Sequence, residues 1–255
     1  PDGQEPSGQP SGQQGQQTSQ PETETKQPES ETRTEPESES ESGNQSTGTG
    51  QAGAVTATDT HYDYVALGNS VTCNEISGLW WSSWGMAATE EKNDYVHRIA
   101  SWLETQSYQP VTTTVLDIKS WEVAQDRPGY AAGYESYFNE YTDLVTIQTG
   151  ENITEHKETL GADYQDLIAR IKKAAPNAQI LVLGEVLWPG EDIEASKRTA
   201  CTQNGVTFVE MTEFLNDYEA KYRSAVGTEV YGADGAKHAI DNDVVAAHPN
   251  DAGMA

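Results

Sequence analysis

From Tyr62 onward, short apolar or β-branched runs alternate with stretches whose apolar residues recur at helical spacing, whereas the first sixty residues show neither pattern. The run Tyr64-Val65-Ala66-Leu67 reads as a buried strand that stops at Gly68. A β-branched run over residues 111–116 suits a second strand, and Leu144-Val145-Thr146-Ile147, bounded by Asp143 and Gly150, suits a third. Ile180-Leu181-Val182-Leu183 and Val206-Thr207-Phe208-Val209 supply the fourth and fifth. Between them, residues 94–104 place Val96, Ile99, Ala100 and Leu103 on one helical face, and residues 163–175 do the same with Leu167, Ile168 and Ile171 before Pro176. Further helical stretches near residues 192–203 and 213–224 flank the fifth strand. Strands alternating with helices predict βαβ units, hence a three-layer α/β/α sandwich around a parallel sheet of about five strands.

Composition divides the chain. Residues 1–60 contain no aromatic residue, no Leu, Ile or Met and a single Val, so they have no core to set against the conformational entropy of ordering. They are expected to form a disordered acidic linker rich in Ser, Thr, Pro, Glu and Gln, either a tether holding a domain away from a surface or a tail without positional role. Residues 61–255 hold every Trp, Tyr and Phe and form the one globular domain. The chain opens on Pro and stops shortly after His248-Pro249, so it reads as a piece of a longer protein, truncated at the end of its domain, with additional modules beyond either end in prospect. The linker type favours an extracellular or cell-surface location.

Charge narrows the partners. Residues 1–51 carry ten acidic residues against Lys26 and Arg33, so most of the net charge of −26 lies on the folded part. Such a surface repels phosphate backbones and anionic lipid, which excludes nucleic acid and membrane contact by the folded domain and favours a neutral substrate. Cys73 and Cys201 allow at most one bridge. No His/Cys/Asp spacing marks a metal centre, and no cofactor is expected.

In a parallel sheet covered on both faces, ligands bind where loops leave the carboxyl ends of the strands. Three polar features fall there: Ser70 after the first strand, Gly150-Glu151-Asn152 after the third, and His248 in a loop after the last helix. Alone, a serine at such a point is usually a turn or cap residue. The α/β-hydrolase elbow is not indicated, because Thr72 stands where its second glycine belongs.

These three segments resemble the blocks of the SGNH (GDSL) hydrolases. Gly68-Asn69-Ser70 stands for that family's Gly-Asp-Ser, Gly150-Glu151-Asn152 for its Gly-x-Asn-Asp without the final Asp, and Val245-Ala246-Ala247-His248-Pro249 for Asp-x-x-His-Pro with Val in the acid position. The resemblance implies a flavodoxin-like SGNH fold and a serine acyl-ester hydrolase. In it Ser70 is the nucleophile and His248 the base, and the oxyanion hole is made by the Ser70 N–H, a glycine N–H and the Asn152 side chain. The physical chemistry of these residue types fits the roles, since a serine hydroxyl needs a base in reach and a neutral amide suits a transient oxyanion. With Val245 unable to hold the imidazole, a Ser–His dyad oriented by a backbone carbonyl is expected, with Asp241 or Asp243 as substitute acids. The second-block glycine has no counterpart in Asp117-Ile118-Lys119-Ser120-Trp121-Glu122, and no residue is assigned to that donor.

The substrate pocket is expected from Trp80, Trp81, Trp84 and Trp121 with Glu122 and Glu151, Trp188 adding to it; the tryptophans form an acyl pocket or a sugar platform, or merely pack a lid over the core. The expected reaction is hydrolysis of an acyl, in particular acetyl, ester of a small molecule or polysaccharide. Transfer of the acyl group to a cell-wall or exported glycan, and a binding domain without turnover, are the alternatives.

Overall fold

The computed structural model describes residues 60–255. The linker expected over residues 1–60 therefore lies outside the described residues, save its last position. The sheet consists of β1 (Tyr62–Gly68), β2 (Val111–Asp117), β3 (Thr142–Gln148), β4 (Gln179–Leu183) and β5 (Thr207–Val209). All pairings are parallel and the spatial order is β2-β1-β3-β4-β5. Each strand lies within two residues of the expected run; the central β1 and β3 carry the apolar runs that burial on both faces requires, whereas the edge strands β2 and β5 are partly exposed.

Alternation along β1 shows the layers. Tyr64 and Ala66 face a cluster with Val96 and Leu103 of α1 (Tyr95–Ser107). Val65 and Leu67 face the larger core, shared with Leu167, Ile168 and Ile171 of α4 (Leu160–Ala174) and with Ile193 and Ala200 of α5 (Glu191–Asn204). Asp94 caps α1, its carboxylate accepting the His97 N–H at 2.8 Å. Gly205 ends α5 in the left-handed conformation, at φ +63°.

Between β2 and β3 the pattern predicted no element, yet the chain forms α2 (Lys119–Val123) and α3 (Arg127–Tyr134). Both are short, and Gly129, Gly133 and Pro128 mask the apolar spacing of the second. The helix expected over residues 213–224 is a correction: α6 (Thr212–Asp217) stops early and continues as a π-turn over Tyr218–Tyr222, with the Arg223 N–H bonded to the Tyr218 carbonyl at 2.9 Å. A hairpin of β6 (Glu229–Tyr231) and β7 (Lys237–Ala239) and the single-turn α7 (Asp243–Ala246) complete the chain. Cys73 and Cys201 are both free thiols.

The order β2-β1-β3 creates the opening at one end of the sheet. The chain leaves β1 toward one edge and returns across it to β3, so the loops after β1 and β3 diverge and leave a crevice at their carboxyl ends. Gly68 is in register with Gln148, which brings Ser70 and Gly150-Glu151-Asn152 to the same edge.

Candidate active site

Gly68 closes β1 because nothing larger fits: a Cβ there would lie 1.7 Å from the Thr72 hydroxyl oxygen. The chain then turns tightly, the Thr72 and Cys73 N–H groups both donating to the Asn69 carbonyl at 2.8 and 2.9 Å. Ser70 stands on this turn, half-buried, with its Oγ 2.8 Å from Nε2 of His248.

His248 arrives from the far end of the chain. Asn242 caps α7 by accepting the Val245 N–H at 2.9 Å. One turn later the His248 Nδ1 lies 2.8 Å from the Val244 carbonyl. A carbonyl only accepts, so Nδ1 carries the proton and Nε2 presents a lone pair to the Ser70 hydroxyl. Burial pushes the imidazole down to about 4, against the opposing pull of the Val244 and Val245 backbone and the Glu151 charge, so the ring is neutral at neutral pH. The loop is tied down by the Tyr218 hydroxyl on the Ala247 carbonyl and by the Ser224 N–H on the His248 carbonyl at 2.9 Å.

Val245, at the acid position of the Asp-x-x-His-Pro block it resembles, is fully buried against Trp80, Met86 and Ile240. The Val244 carbonyl occupies the place at Nδ1, while Asp241 and Asp243 stand exposed.

Behind Ser70 lies a group of carboxylates and amides, buried at Asn69 and Glu122 and half-buried at Glu151 and Asn152. Glu122, fully buried at the end of α2, accepts the Asn69 Nδ2 at 3.0 Å and the Gly150 N–H at 2.5 Å on one oxygen, and the Asn152 Nδ2 at 2.6 Å on the other. Glu151 accepts the same Asn69 Nδ2 at 2.7 Å, the Gln148 Nε2 at 2.8 Å and the Val186 N–H at 2.9 Å. Burial, and then the neighbouring Glu151 charge, push Glu122 up to about 7 against the three donors that favour its ionised form. Glu185 is likewise buried and pushed up to about 7, chiefly by burial. Gly150 must be glycine: its φ is +131°, and a Cβ would lie 2.6 Å from the Glu185 Cγ.

Ser70, His248, Asn152 and Glu151 line one cleft of about 320 Å³, with Leu79, Met86, Asp117, Lys119, Val244 and Trp188 on its walls. Several of the expected pocket residues are elsewhere. Trp80 is fully buried, and its indole N–H donates to the Trp84 carbonyl at 3.3 Å. Trp84 donates to the Ala88 carbonyl at 3.3 Å, and Trp81 stacks on His238 with centroids 4.7 Å apart. These three pack the loop onto the domain and line no part of the cleft. Trp121 is a core residue, fully buried and edge-on to Tyr164 at 5.0 Å. Glu122 is sealed beneath the cleft rather than in its wall. The aromatic surface in the cleft is Trp188, about 57% exposed.

Arg127 was not among the expected site residues. Fully buried, it donates to the carbonyls of Glu122 (2.9 Å), Glu155 (3.2 Å) and His156 (2.6 Å) and pairs with Asp163 at 3.1 Å. It thereby ties α2 to the loop that carries Asn152. A buried Arg looks like any surface cation in sequence, and only Pro128 beside it hinted at a structured turn. Glu185 and the bridging part of Asn69 left no sequence signal either.

Among solved structures the chain is similar to phospholipase A1 from Streptomyces albidoflavus, at 12% identity over 76% of this chain and 94% of that one, with a TM-score of 0.50. It is similar also to an extracellular lipase from Streptomyces rimosus (17% identity, 76% and 95% coverage, TM-score 0.46). A third is a member of the lipolytic G-D-S-L family from Veillonella parvula (12% identity, 76% and 92% coverage, TM-score 0.41). No family model and no curated protein matches the chain. The strand order and the likeness to the phospholipase show the fold, a three-layer α/β/α sandwich around a five-stranded parallel sheet.

Proposed function

We propose that this protein hydrolyses acyl esters through an acyl-enzyme on Ser70, with His248 as base and without a carboxylate behind it. The observation that carries the reading is the relay in which the Ser70 Oγ lies 2.8 Å from His248 Nε2 and His248 Nδ1 lies 2.8 Å from the Val244 carbonyl. As the Ser70 oxygen bonds to the ester carbon, its proton passes to Nε2, and the carbonyl oxygen takes the negative charge within reach of the Ser70 N–H and Asn152 amide. Collapse breaks the bond to the alcohol, which leaves with the proton from Nε2. Water then attacks the acyl-enzyme by the same transfers in reverse order of partners, releasing the acid and restoring Ser70.

The substrate we infer is a short-chain, in particular acetyl, ester of a neutral polyol such as a polysaccharide, outside the cell. A cleft of about 320 Å³ with mixed polar and apolar walls suits a small acyl group. Glu75, Asp117 and Glu151 around it disfavour an anionic leaving group, and Trp188 offers a flat face to a sugar ring. The acidic composition of residues 1–60 supports the location.

Hydrolysis of p-nitrophenyl acetate and acetate release from an acetylated polysaccharide test the reading. Both are expected from the wild type and lost by at least about 10³-fold in Ser70→Ala. Equal rates in the two proteins would sink it. Adding a glycan acceptor separates hydrolysis from transfer: acetate release unaffected by the acceptor is the expected result.

A further inference from the structure

We infer that Glu122 is a positioning residue that holds Asn152 as the oxyanion donor, an assignment that rests on the ester-hydrolase reading. An asparagine amide has two N–H bonds in one plane and can present either its nitrogen or its oxygen to a site. At Asn152 the nitrogen lies 2.6 Å from a Glu122 carboxylate oxygen. An ionised carboxylate only accepts, so it selects the nitrogen, pins one hydrogen and fixes the plane in which the second hydrogen points. The same carboxylate fixes the Gly150 N–H at 2.5 Å, two residues before Asn152, so both the side chain and its supporting backbone are held by one group.

The clamp is itself clamped. The Glu122 N–H donates to the Ile118 carbonyl at 3.2 Å, and the Glu122 carbonyl accepts from Arg127, whose other bonds hold Glu155 and His156 of the loop beyond Asn152. With no exposed surface, Glu122 has no bulk water competing for its lone pairs. Its hydrogen-bond partners are neutral amides rather than a cation, so burying it costs more stability than a glutamine or leucine would. A charge kept at such a cost beneath a candidate site is expected where function uses it.

The role predicts a pH dependence, because protonated Glu122 would need an acceptor where it now meets three donors. The titratable and charged groups that feel its charge or touch it are Glu151 from the loop after β3, Tyr164 from α4, Tyr134 from α3, and Arg127 through its bond to the Glu122 carbonyl. Burial and Glu151 push it up to about 7, whereas His248 is held at about 4. Activity therefore falls as acid is added through a limb near the Glu122 value, well above the point at which His248 takes a proton.

The test is kcat and KM for p-nitrophenyl acetate between about pH 4.5 and about pH 9, for wild type, Ser70→Ala, Glu122→Gln, Asn152→Ala and the double variant Glu122→Gln/Asn152→Ala. Glu122→Gln is expected to lower kcat about 10²-fold with KM changed less than about threefold, and to abolish the limb near neutrality. The double variant should be no slower than Asn152→Ala alone, since both changes remove one donor. Asn152→Ala should lose the limb as well, which tests the assignment even where Glu122→Gln does not fold. Wild-type kcat with the limb retained in Glu122→Gln, additive losses in the double variant, or a limb that survives in Asn152→Ala would each overturn it. Undiminished turnover in Ser70→Ala would instead overturn the hydrolase reading, so the two failures are distinct.

Discussion

Replacing Asn69 by Asp would complete the Gly-Asp-Ser block that residues 68–70 resemble and, by the arrangement beneath Ser70, should damage the protein. Asn69 is fully buried, and its single Nδ2 bridges Glu122 at 3.0 Å and Glu151 at 2.7 Å, while its oxygen accepts the Val71 N–H at 3.2 Å. An aspartate of the same shape puts a third carboxylate against two others. It must take up a proton to stay, and that proton restores one of the two bonds. Losing the other bond to a charged acceptor costs ~2 kcal/mol. Holding the Asp protonated at neutral pH, when its unfolded pKa is ~3.9, adds about 1.4 kcal/mol per pH unit above that value. The folded pKa lies above the unfolded one, so stability is retained in acid and lost as pH rises. The deficit relative to wild type should grow by about 4 kcal/mol between about pH 5 and about pH 8, reaching ~8 kcal/mol, which is comparable to the whole stability of many domains. Urea unfolding of both proteins at the two pH values, followed by tryptophan fluorescence, measures it. A deficit that is the same at both pH values, or below about 1 kcal/mol at the higher one, would refute the reasoning.

Two further outcomes rest on the same geometry. Val245→Asp supplies the family's acid but sets it among Trp80, Met86 and Ile240, so it should cost ~3–5 kcal/mol in thermal or urea unfolding without raising kcat; a stable, faster variant would show that position 245 can reach the imidazole. Glu185 has one buried oxygen without a partner and is pushed up to about 7, so the wild type loses stability as pH rises from the ordinary carboxylate range through that value. Glu185→Gln escapes this loss, and its Tm should exceed that of wild type at about pH 8 and match it near about pH 5; a lower Tm at the higher pH would count against it.

How much of the fold and site was legible in sequence depended on whether a residue's environment is local. The sheet strands could be read because apolar side chains facing two layers leave an unbroken signature, as in residues 144–147 and 180–183. Ser70, Asn152 and His248 stood out by order and by position at strand ends rather than by any single motif. The tryptophans misled because an indole in a loop has the same sequence signature whether its N–H meets a ligand or, as in Trp80 and Trp84, the carbonyl four residues on. Glu122 was invisible as a buried clamp: two of its donors lie in the loop after β3, the third follows β1, and nothing adjacent marks it as shielded from water.

Ser70 and His248 are separated by 178 positions in the chain, the span of nearly the whole domain. Strand pairing positions the first, whereas the second depends on a few loop contacts to residues 218–224, among them Tyr218 to Ala247 and Ser224 to His248. During synthesis the core elements can assemble before the Ser70–His248 contact exists, and on the ester-hydrolase reading turnover awaits docking of the segment that carries His248. That segment can open without melting the sheet, so on warming the Ser70–His248 contact, and with it the proposed activity, should be lost while the secondary structure is still intact.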